Sequence, residues 1–507
     1  MILVNVALLL EMAASADRDR VVLGPNDGGL SAGRLLELAG GLAALLGSSG
    51  AERAVYAAES SPALPVALFG AAWAGTPFVP VNYRLADDRV RAIVARQAPA
   101  ILIADAGTEH RFADIAGVDV MCVAELLQRC ESAVGAPAWS DDPDDVAVLL
   151  HTSGTSGEPK VAVLRHRHLT SYVLGSVEFL GADEDEATLA SVPPYHIAGL
   201  AGTLTAVYGG RRLVQLPAFD PRTWVDLARR ESITHAMTVP TMLTRILDVI
   251  DPDVGGDGLG VPSLRHLSYG GGRMPVPVIE RAIRLLPGVD FVNAYGLTET
   301  SSSIAVLTPE DHRRALDSDD IDVRRRLGSV GRPLPTVEIT VRDAAGDPLP
   351  AGSRGEIWVR GEQVSGEYLR DEQGAGSSWF RTRDGGWFDS GGYLYVDGRM
   401  DDVIVRGGEN LSPGEIEDVL LEHPAVREAA VVGIPDDEWG EAVAAVVVRH
   451  DGAVASESAL CDHVVARLRS SRRPSVVEFR DELPVNDTGK VLRRVLRDEL
   501  TGVRAVI

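Results

Sequence analysis

The chain has 507 residues, 45% of them hydrophobic, which exceeds what one hydrophobic core usually supports and predicts a large domain with a smaller companion. Asp and Glu outnumber Lys and Arg by 73 to 49, and the formal charge of −24 argues against a nucleic-acid partner. The three cysteines, Cys122, Cys130 and Cys461, fit neither a metal-site spacing nor a disulfide framework, which favours a reducing compartment.

The N-terminal segment, MILVNVALLLEMAASA, has the apolar run and the small residues of a secretory signal. It lacks a basic start and carries Glu11, so the sequence favours an ordinary amphipathic first helix. No apolar run reaches the roughly 18–20 residues that span a bilayer. We therefore expect a cytoplasmic protein without stable membrane insertion.

Helix-like segments (34–46 and 66–75) alternate with the strand-like runs AVYAAE, FVPVN and AILIAD up to about residue 130. A second alternation, between residues 146 and 300, contains the strand-like runs DVAVLL, RLVQL, HAMTV and FVNAYG. Alternation of this kind predicts an α/β architecture with largely parallel sheets. The two waves together predict one large domain that contains two sheets.

The pattern changes near residue 325 to closely spaced strands punctuated by Gly, Pro and Asp (TVEITVRD, GEIWVRG, GGYLYVDGR). Such spacing predicts a small antiparallel sheet or a β-barrel-like subdomain. A compact unit of helix and strand signals follows GRMDD (398–402). The predicted fold class is α/β plus α+β, with an N-terminal domain at residues 1–398 and a small C-terminal α+β domain at residues 399–507.

The segment HTSGTSGEPK (151–160) joins a predicted buried strand to a lysine. Its hydroxyls can donate hydrogen bonds, and its glycines let backbone N–H groups approach an anion. The residues concerned are Thr152, Ser153, Gly154, Thr155, Ser156, Gly157 and Lys160. Glu158 and Pro159 separate the last glycine from the lysine, so this is not a Walker loop. Composition alone leaves a phosphate site and a polar surface turn both open.

Further segments follow this loop in a fixed order. They are PPYHIAG (193–199), YGGGRMP (269–275), YGLTET (295–300), GEIWVRG (355–361), WFRTRDGG (379–386), GRMDDVIVRGGENLSPGEIE (398–417) and PVNDTGK (484–490). The ordered set resembles the adenylate-forming superfamily, specifically the acyl-CoA synthetases, over essentially the whole chain. Any one of these motifs is short enough to arise by chance, but the set in this order is highly specific.

The resemblance implies two half-reactions at one site. A carboxylic acid attacks the α-phosphate of ATP to give acyl-AMP and pyrophosphate, and the thiol of CoA then displaces AMP. It implies ATP, Mg²⁺ and coenzyme A as ligands, with the loop at 152–160 on the β- and γ-phosphates. Glu299 is expected to bind Mg²⁺, a hard cation that prefers carboxylate and phosphate oxygens, and Thr298 to contact phosphate.

The resemblance assigns the nucleoside to a second group of residues. Tyr295 is expected to stack on adenine opposite Gly271, Gly272 and Arg273, although on its own it reads as a core aromatic. Asp384 and Arg399 are expected at the ribose hydroxyls. Lys490, which on its own looks like a surface lysine, is expected to bridge the carboxylate and the α-phosphate and so to stabilise charge in the adenylation transition state.

The acyl and CoA sides follow from the same resemblance. The acyl pocket is expected at His196, Gly199, Tyr269 and Gly270, with His196 moving aside for the thiol; a satisfied buried histidine is the alternative. Asp401 occupies the hinge about which relatives swing the C-terminal domain. Gly407 and Gly408 are expected to line the pantetheine tunnel, with Trp439, Arg472 and Arg473 at CoA.

The chain departs from the family pattern at several positions. Arg383 replaces a glycine, so the turn must differ if that glycine had a positive φ. Arg273 stands where a proline or small residue is common, and either binds a polar group on the acid or points to solvent. The residue after Lys160 is Val161 rather than glycine. Ser471 stands where some relatives carry an aromatic for the CoA adenine, which favours Arg472 and Arg473 as phosphate contacts.

A carboxylate–CoA ligase is the leading hypothesis, and an acyl-AMP ligase that loads a carrier-protein phosphopantetheine is the alternative. An amino-acid adenylation domain is disfavoured because Tyr195 and His196 stand where such domains place an aspartate. A nucleotide sensor without activity would require loss of Lys490, Glu299 or Asp384, all of which are present. The acid is not predicted, and a homodimer is a family-level expectation only.

Overall fold

The computed structural model describes residues 5–152, 160–369, 378–436, 438–450, 452–485 and 491–504. Its helices are α1 (Ala7–Ala16), α2 (Ala32–Ser49), α3 (Ala63–Ala74), α4 (Asp87–Ala95), α5 (Val123–Ser132), α6 (His166–Ser176), α7 (Ile197–Gly209), α8 (Pro221–Arg230), α9 (Pro240–Ile250), α10 (Val276–Leu285), α11 (Pro309–Asp317), α12 (Ile321–Arg324), α13 (Pro413–Leu421), α14 (Glu457–Val465) and α15 (Arg493–Arg504).

The strands are β1 (Val21–Leu23), β2 (Leu30–Ser31), β3 (Arg53–Ala57), β4 (Phe78–Pro80), β5 (Ala100–Ala104), β6 (Val118–Cys122), β7 (Val146–Thr152), β8 (Lys160–Arg165), β9 (Ala187–Ala190), β10 (Arg212–Gln215), β11 (His235–Thr238), β12 (His266–Gly270), β13 (Asp290–Leu297), β14 (Ser302–Leu307), β15 (Arg332–Pro333), β16 (Val337–Arg342), β17 (Gly355–Gly361), β18 (Phe380–Phe388), β19 (Leu394–Arg399), β20 (Ile404–Arg406), β21 (Glu409–Leu411), β22 (Val426–Asp436), β23 (Gly440–Arg449) and β24 (Val476–Arg480).

Two large sheets form the N-terminal part, which confirms the predicted α/β class. One has six strands in the order β6-β5-β3-β4-β7-β8, and the other has nine in the order β15-β14-β13-β12-β11-β9-β10-β1-β2. The two sheets do not follow the two sequence waves. Strands β1 and β2 come from the first wave but join the nine-stranded sheet, while β7 and β8 come from the second wave but join the six-stranded one.

The largest hydrophobic core lies between the two sheets. It contains side chains of both, such as Tyr56 on β3 and Leu213 on β10, together with helices α1, α2, α3 and α7. The N-terminal segment forms a helix, as expected, and this helix begins at Ala7. Helix α2 follows the Ser31 cap, whose side chain accepts a hydrogen bond from Arg34 N, and it ends at Gly50, which has φ 72°. Packing on both faces explains why strands such as β5 are apolar throughout.

A third, antiparallel sheet has the linear order β16-β17-β18-β19. The described strands therefore form an open four-stranded sheet and not a closed barrel. Its central pair carries a β-bulge: Glu356 pairs with Gly385 and Trp358 with Arg381, so three residues of β18 face one residue of β17. Arg383, at the centre of this bulge, has φ 60°. The left-handed turn expected of a glycine is thus kept by an arginine, which corrects the expectation of a different turn.

The C-terminal unit (residues 404–504) has its own sheet, in the order β21-β20-β23-β22, with β24 pairing parallel to β23. Helices α13 and α14 share one core with this sheet, and α15 contributes Leu496 and Leu500 to another. The predicted boundary at residues 398 and 399 falls at the end of β19. No helix within the described ranges is long and apolar enough to cross a membrane.

Two buried histidines, His166 and His168, and the half-buried His151 are expected to make the fold sensitive to acid. Burial lowers the pKa of His151 and of His166 to about 4, and that of His168 to about 3. His166 Nδ1 accepts a hydrogen bond from Val6 N at 3.1 Å, and His168 Nδ1 accepts one from Arg165 N at 3.1 Å. The folded protein thus keeps all three rings neutral at a pH where the unfolded chain protonates them.

We predict that stability falls as the pH drops from 7.5 to 5.5. Below the ordinary histidine pKa the unfolded state binds protons that the folded state excludes, which removes about 1 kcal/mol for each ring. Urea unfolding at the two pH values measures the change. His168→Gln should remove only part of the pH dependence, because burial also lowers the pKa of His235 to about 3 and lowers those of His312 and His463. Exposed His450→Gln should keep it. Equal urea midpoints at both pH values would contradict the prediction.

We also predict that Arg383→Gly stabilises the protein. A left-handed conformation costs a residue with Cβ about 1–2 kcal/mol, and glycine's extra freedom in the unfolded chain offsets part of the gain, which leaves up to about 1 kcal/mol. The free energy of unfolding in urea measures this change. Arg53→Gly, at the start of β3, is the control and should destabilise. A loss of stability in Arg383→Gly would show that the arginine side chain, not the turn, dominates.

Candidate active site

The candidate site lies where parallel strands of the nine-stranded sheet end together. Strands β11, β12 and β13 run parallel, so their carboxyl ends share one edge. Residues 271–273 follow β12, and the short helix Thr298–Thr300 follows β13. Gly271 has φ 75° and is exposed together with Gly272 and Arg273, as expected for a loop that meets a ligand. The carboxyl edge of an open α/β sheet is where such folds bind ligands.

Asp384 is the centre of one polar cluster at this edge. The bulge in β18 turns it inward, and the residue is only 7% exposed. Tyr295 OH donates a hydrogen bond to Asp384 Oδ2 at 2.7 Å, and Arg399 Nε lies 3.2 Å from Oδ1. Arg399 also donates to Thr382 O at 2.8 Å, which fixes it beside the bulge.

The hydroxyl of Tyr295 remains protonated. Burial raises its pKa well above the usual range, and the neighbouring charge of Asp384 acts in the same direction. Its hydrogen bond therefore anchors the ring at the carboxylate. Both carboxylate oxygens of Asp384 are thus in contact with protein groups, and a carboxylate oxygen can accept more than one hydrogen bond.

Glu299 is the centre of a second cluster. Its carboxylate accepts a hydrogen bond from Tyr368 OH at 2.5 Å, and the residue is 8% exposed. Lys160 Nζ lies 4.7 Å from the centre of the Tyr368 ring, within range of a cation–π contact. Burial, followed by the charge of Glu299, raises the pKa of Tyr368. The lysine that ends the expected phosphate loop and the carboxylate expected to bind Mg²⁺ thus lie on either side of one tyrosine.

A strap formed by residues 363–369 brings these groups together. Gln363 Nε2 donates to Ser303 O at 2.8 Å, and the backbone N–H of Ser365 donates to Glu299 O at 2.8 Å. At the other end, Leu369 N donates to Val161 O at 2.8 Å, so the strap lies along β8. It therefore joins β8 of the six-stranded sheet to the end of β13 in the nine-stranded sheet.

The expected phosphate loop is the tip of the β7–β8 hairpin. Thr152 pairs with Lys160, and its hydroxyl donates to Lys160 O at 3.3 Å. The predicted residues Ser153, Gly154, Thr155, Ser156 and Gly157 lie outside the described residues. The described base of the loop is nevertheless fixed beside Glu299, through Lys160 and the strap.

The backbone after Glu299 is strained. Ser301 and Ser302 have φ values of 54° and 102°, which residues with a Cβ rarely adopt. Thr300 Oγ1 donates to Ser302 O at 2.7 Å and accepts from Leu297 N at 2.9 Å, so one hydroxyl closes this turn. Strain of this kind persists where the surroundings hold a functional group in place. The strained turn keeps Thr298 and Glu299 at the carboxyl edge of the nine-stranded sheet.

The residues expected to form the acyl pocket have mixed placements. His196 is the N-cap of α7, half-buried, and packs against Tyr195 with ring centres 4.7 Å apart. A Cβ added to Gly199 would lie 2.7 Å from Pro193 O, and one added to Gly270 would lie 2.3 Å from Ala294 O. These two glycines permit close backbone packing, and their expected place in an acyl pocket stays a prediction.

Tyr269 also faces the interior. It is fully buried, and its hydroxyl lies 2.8 Å from His312 Nε2 on α11. His312 Nδ1 in turn lies 2.8 Å from Thr308 O. The side chain thus ties β12 to α11 behind the edge of the sheet, and the pocket role expected for Tyr269 stays a prediction.

The side chain of Arg273 is partly exposed and extends to the C-terminal unit. Its guanidinium donates to Gly414 O and pairs with Asp418 Oδ2, both on α13. Sequence reasoning did not predict these partners in the C-terminal unit, and the expected ligand contact of Arg273 stays a prediction.

The segments expected at CoA do come together. Gly407 N donates to Trp439 O at 2.8 Å, and a Cβ on Gly407 would lie 2.9 Å from the Trp439 ring. Arg406 donates to Ser471 O at 2.8 Å, which brings the third segment alongside. Gly407, Gly408 and Trp439 are exposed.

Arg472 and Arg473 differ in their surroundings. Arg472 is 9% exposed and donates to Glu409 Oε1 at 2.9 Å, with Glu415 Oε2 at 3.5 Å. Its guanidinium is thus paired with carboxylates of the protein, and its expected contact to CoA phosphates stays a prediction. Arg473 is exposed, and its expected role stays open.

Two further expectations concern the hinge and the lysine. Asp401 is exposed in the short helix Met400–Asp402, between β19 and β20. Lys490 lies outside the described residues. Nearby Arg493 donates to both oxygens of Glu417 at 2.7 and 2.8 Å, so the start of α15 is held by α13.

Sequence reasoning missed Tyr368 and Asp418. Tyr368 lies in the loop SGEYLR, whose signal is an aromatic beside glycine between two strands, a pattern too common to select. Asp418 is one of several acidic residues on a helix. Only its pairing with Arg273 distinguishes it, and that pairing is not visible in the sequence.

A family model described as AMP-binding enzyme matches residues 10–369, and one described as AMP-binding enzyme C-terminal domain matches residues 415–490. The fatty acid–[acyl-carrier-protein] ligase ScoC of Streptomyces coeruleorubidus is 33% identical, over 89% of this chain and 87% of its own. The feruloyl-CoA synthase of an Amycolatopsis species is 32% identical over 92% of each chain.

The solved o-succinylbenzoate CoA synthetase MenE of Bacillus subtilis, in complex with the acyl-adenylate OSB-AMP, superposes with a TM-score of 0.83 at 28% identity. The match covers 97% of this chain and 98% of MenE. MenE has also been solved with ATP and a magnesium ion. The chain therefore belongs to the AMP-binding enzymes of the adenylate-forming superfamily and, as its motifs predicted, to the acyl-CoA ligase family.

Proposed function

We propose that the protein activates a carboxylic acid with ATP and transfers the acyl group to coenzyme A. The observation that carries this proposal is the convergence of two clusters, Tyr295–Asp384–Arg399 and Lys160–Tyr368–Glu299, at one sheet edge. The first offers a nucleoside site, and the second offers a charged site for phosphates. The relatives that are named as CoA ligases support the same reaction.

In the first half-reaction a carboxylate oxygen forms a bond to the α-phosphorus of ATP. The bond from that phosphorus to the β-phosphate oxygen breaks, and pyrophosphate leaves. An anion approaches a polyanion here, so the chain must supply positive charge and oriented donors. Lys160 and the loop at 152–160 would hold the departing phosphates, and Lys490 would neutralise charge at the reacting one.

The residues present fit Mg²⁺ bound together with ATP. No cluster of three or more His, Cys, Asp or Glu side chains in the described part of the chain could hold a metal by itself. Mg²⁺ commonly uses one or two carboxylates together with phosphate oxygens, and Glu299 is the carboxylate placed for this. When bound, the ion would neutralise charge on the phosphate oxygens. The hydrogen bond from Tyr368 would orient Glu299 toward it.

The nucleoside would bind at the first cluster. Asp384 keeps acceptor capacity for the ribose hydroxyls, and Arg399 holds the carboxylate in place. Tyr295 would present its ring to adenine, opposite the exposed loop that contains Gly271 and Gly272. The anchored hydroxyl of Tyr295 would keep the ring from rotating away when the site is empty.

In the second half-reaction the sulfur of CoA forms a bond to the acyl carbon. The bond from that carbon to the AMP oxygen breaks, AMP leaves, and the thiol proton passes to solvent. The exposed segment that combines Gly407, Gly408 and Trp439 supports an approach from the C-terminal unit. A carrier-protein phosphopantetheine is the second candidate acceptor, favoured by the likeness to ScoC and by the engagement of Arg472 with Glu409 and Glu415.

We further propose a cytoplasmic location. Cys122, Cys130 and Cys461 are all free thiols, which suits a reducing compartment. The proposed partners are a small carboxylic acid and CoA or a carrier protein. A homodimer remains an expectation from the family, and sedimentation would measure it.

The proposed reaction is tested by acid-dependent pyrophosphate release across a panel of aliphatic, aryl and amino acids, followed by thioester formation with CoA or a holo carrier protein. We expect release with a non-amino carboxylic acid and thioester with CoA. Thioester only on the carrier protein would favour the second acceptor. No pyrophosphate release with any acid would overturn the proposal.

The variant Lys490→Ala tests whether Lys490 acts in the first half-reaction only. Removing a positive group from a developing charge typically costs roughly 10²–10³ in rate. We expect this loss in pyrophosphate release, with thioester formation from supplied acyl-AMP retained. An equal loss in both half-reactions would contradict the role of Lys490.

Tyr368→Phe tests the Glu299 cluster. Loss of an orienting hydrogen bond to a metal ligand typically costs about 10–100-fold in metal affinity or activity. We expect the Mg²⁺ concentration for half-maximal pyrophosphate release to rise by about tenfold at constant ATP. Tyr172→Phe on α6 is the control and should leave it unchanged. An unaltered Mg²⁺ dependence in Tyr368→Phe would remove Glu299 from the metal site.

A further inference from the structure

Arg273 makes a contact that links two separate cores. It lies on the loop after β12, which belongs to the core of the nine-stranded sheet. Its partners Gly414 and Asp418 lie on α13, whose apolar face belongs to the core of the C-terminal unit. The contact therefore joins the C-terminal unit to the loop expected to face adenine.

The contact is specific in shape. A Cβ added to Gly414 would lie 2.5 Å from Arg273 Nη1, so the guanidinium would have to leave its present position on α13 to make room for it. The side chain of Arg273 is 36% exposed and that of Asp418 is 27% exposed, so solvent reaches the pair only in part. Burial raises the pKa of Asp418 to about 6, while Arg273 acts in the opposite direction.

A second contact lies beside the first. Ser412, the N-cap of α13, donates its hydroxyl hydrogen bond to Asp397 O on β19 at 3.1 Å. Asp397 in turn pairs with Arg354 at 3.0 Å. The start of α13 is thus held from two directions, by a strand just before the hinge and by the loop at the sheet edge.

Helix α13 also holds the parts of the C-terminal unit that the reaction needs. Glu417 binds Arg493, which follows Lys490 by only a few residues. Glu415 lies 3.5 Å from Arg472, beside the segment that contacts Arg406. Whatever fixes α13 on the large domain therefore fixes the base of the lysine segment and the CoA-side segment together.

We propose that Arg273 is a positioning residue that locks the C-terminal unit onto the nucleotide loop through Asp418 and Gly414, and so sets how the enzyme divides its time between the two half-reactions. This inference rests on the proposed function for its kinetic part only. The lock itself is a property of the chain without substrate.

The variants Arg273→Gln, Asp418→Asn and Gly414→Ala each remove the lock by a different route. The charge-reversed pair, Arg273→Asp with Asp418→Arg, should restore it. Arg265→Gln is the matched control, because Arg265 pairs with Asp185 at 2.6 Å on an exposed surface of the large domain alone. The full-length chain is used throughout.

The first measurement is limited trypsin cleavage between residues 399 and 406, without substrate. A partly exposed ion pair shifts an equilibrium by about fivefold, so cleavage should quicken about fivefold in the three single variants. The charge-reversed pair should return toward the parent rate, and Arg265→Gln should match the parent. Unchanged cleavage in all three single variants would overturn the lock.

The second measurement is the ratio of the two half-reaction rates, pyrophosphate release against thioester formation from supplied acyl-AMP. The lock predicts a change of about threefold or more in this ratio, with recovery in the charge-reversed pair. A rise only in the KM for the acid or ATP, with the ratio and cleavage unchanged, would instead make Arg273 a ligand contact and overturn the inference. If no acid supports activity, the function fails while the cleavage result still decides the lock.

Discussion

The candidate site depends on the strap, the short segment at residues 363–369 that hydrogen-bonds to both large sheets. The two large sheets belong to different parts of the domain and carry different halves of the site, with Lys160 on one and Glu299 at the end of the other. The strap hydrogen-bonds to both, and it carries Tyr368 between them. Backbone hydrogen bonds that would otherwise be left open at a sheet edge and a helix end are satisfied by the same segment. Lys160 lies on one sheet and Glu299 at the end of the other, so a change in the strap would move them apart.

Sequence reasoning predicted the α/β class and the motifs, because hydrophobic alternation and glycine-rich turns are local signals. It did not predict which sheet each strand joins. Strand β1 lies in the sheet formed mainly by the second wave, and β7 lies in the sheet formed mainly by the first. Strand pairing depends on packing against strands that are distant in sequence, which local propensity does not encode. The residues that close the site, such as Tyr368, were missed for the same reason.

The roles of individual glycines and arginines were the hardest to predict from the sequence. Gly199 and Gly270 were expected to make room for an acid, but each meets a backbone carbonyl where a side chain would not fit. A sequence cannot distinguish a glycine that opens a pocket from one that permits close packing. Arg273 and Arg472 were predicted as ligand contacts or solvent-facing groups, and each has an acidic partner on or near α13. Acidic residues outnumber basic ones in this chain, so an arginine commonly has a carboxylate of the protein within ion-pair distance.

Arg383 gives the bulge in β18 a further significance. The backbone there keeps the shape that a glycine would adopt, while the side chain is long, charged and exposed. The charge lies near enough to Tyr368 to lower its pKa, against the larger effect of burial. The backbone of Arg383 sets the direction of the Asp384 side chain, while its guanidinium changes the electrostatic potential near Tyr368. The two effects therefore come from different parts of one residue. Substitutions at this one residue could tune the second while the neighbouring carboxylate stays where the bulge has put it.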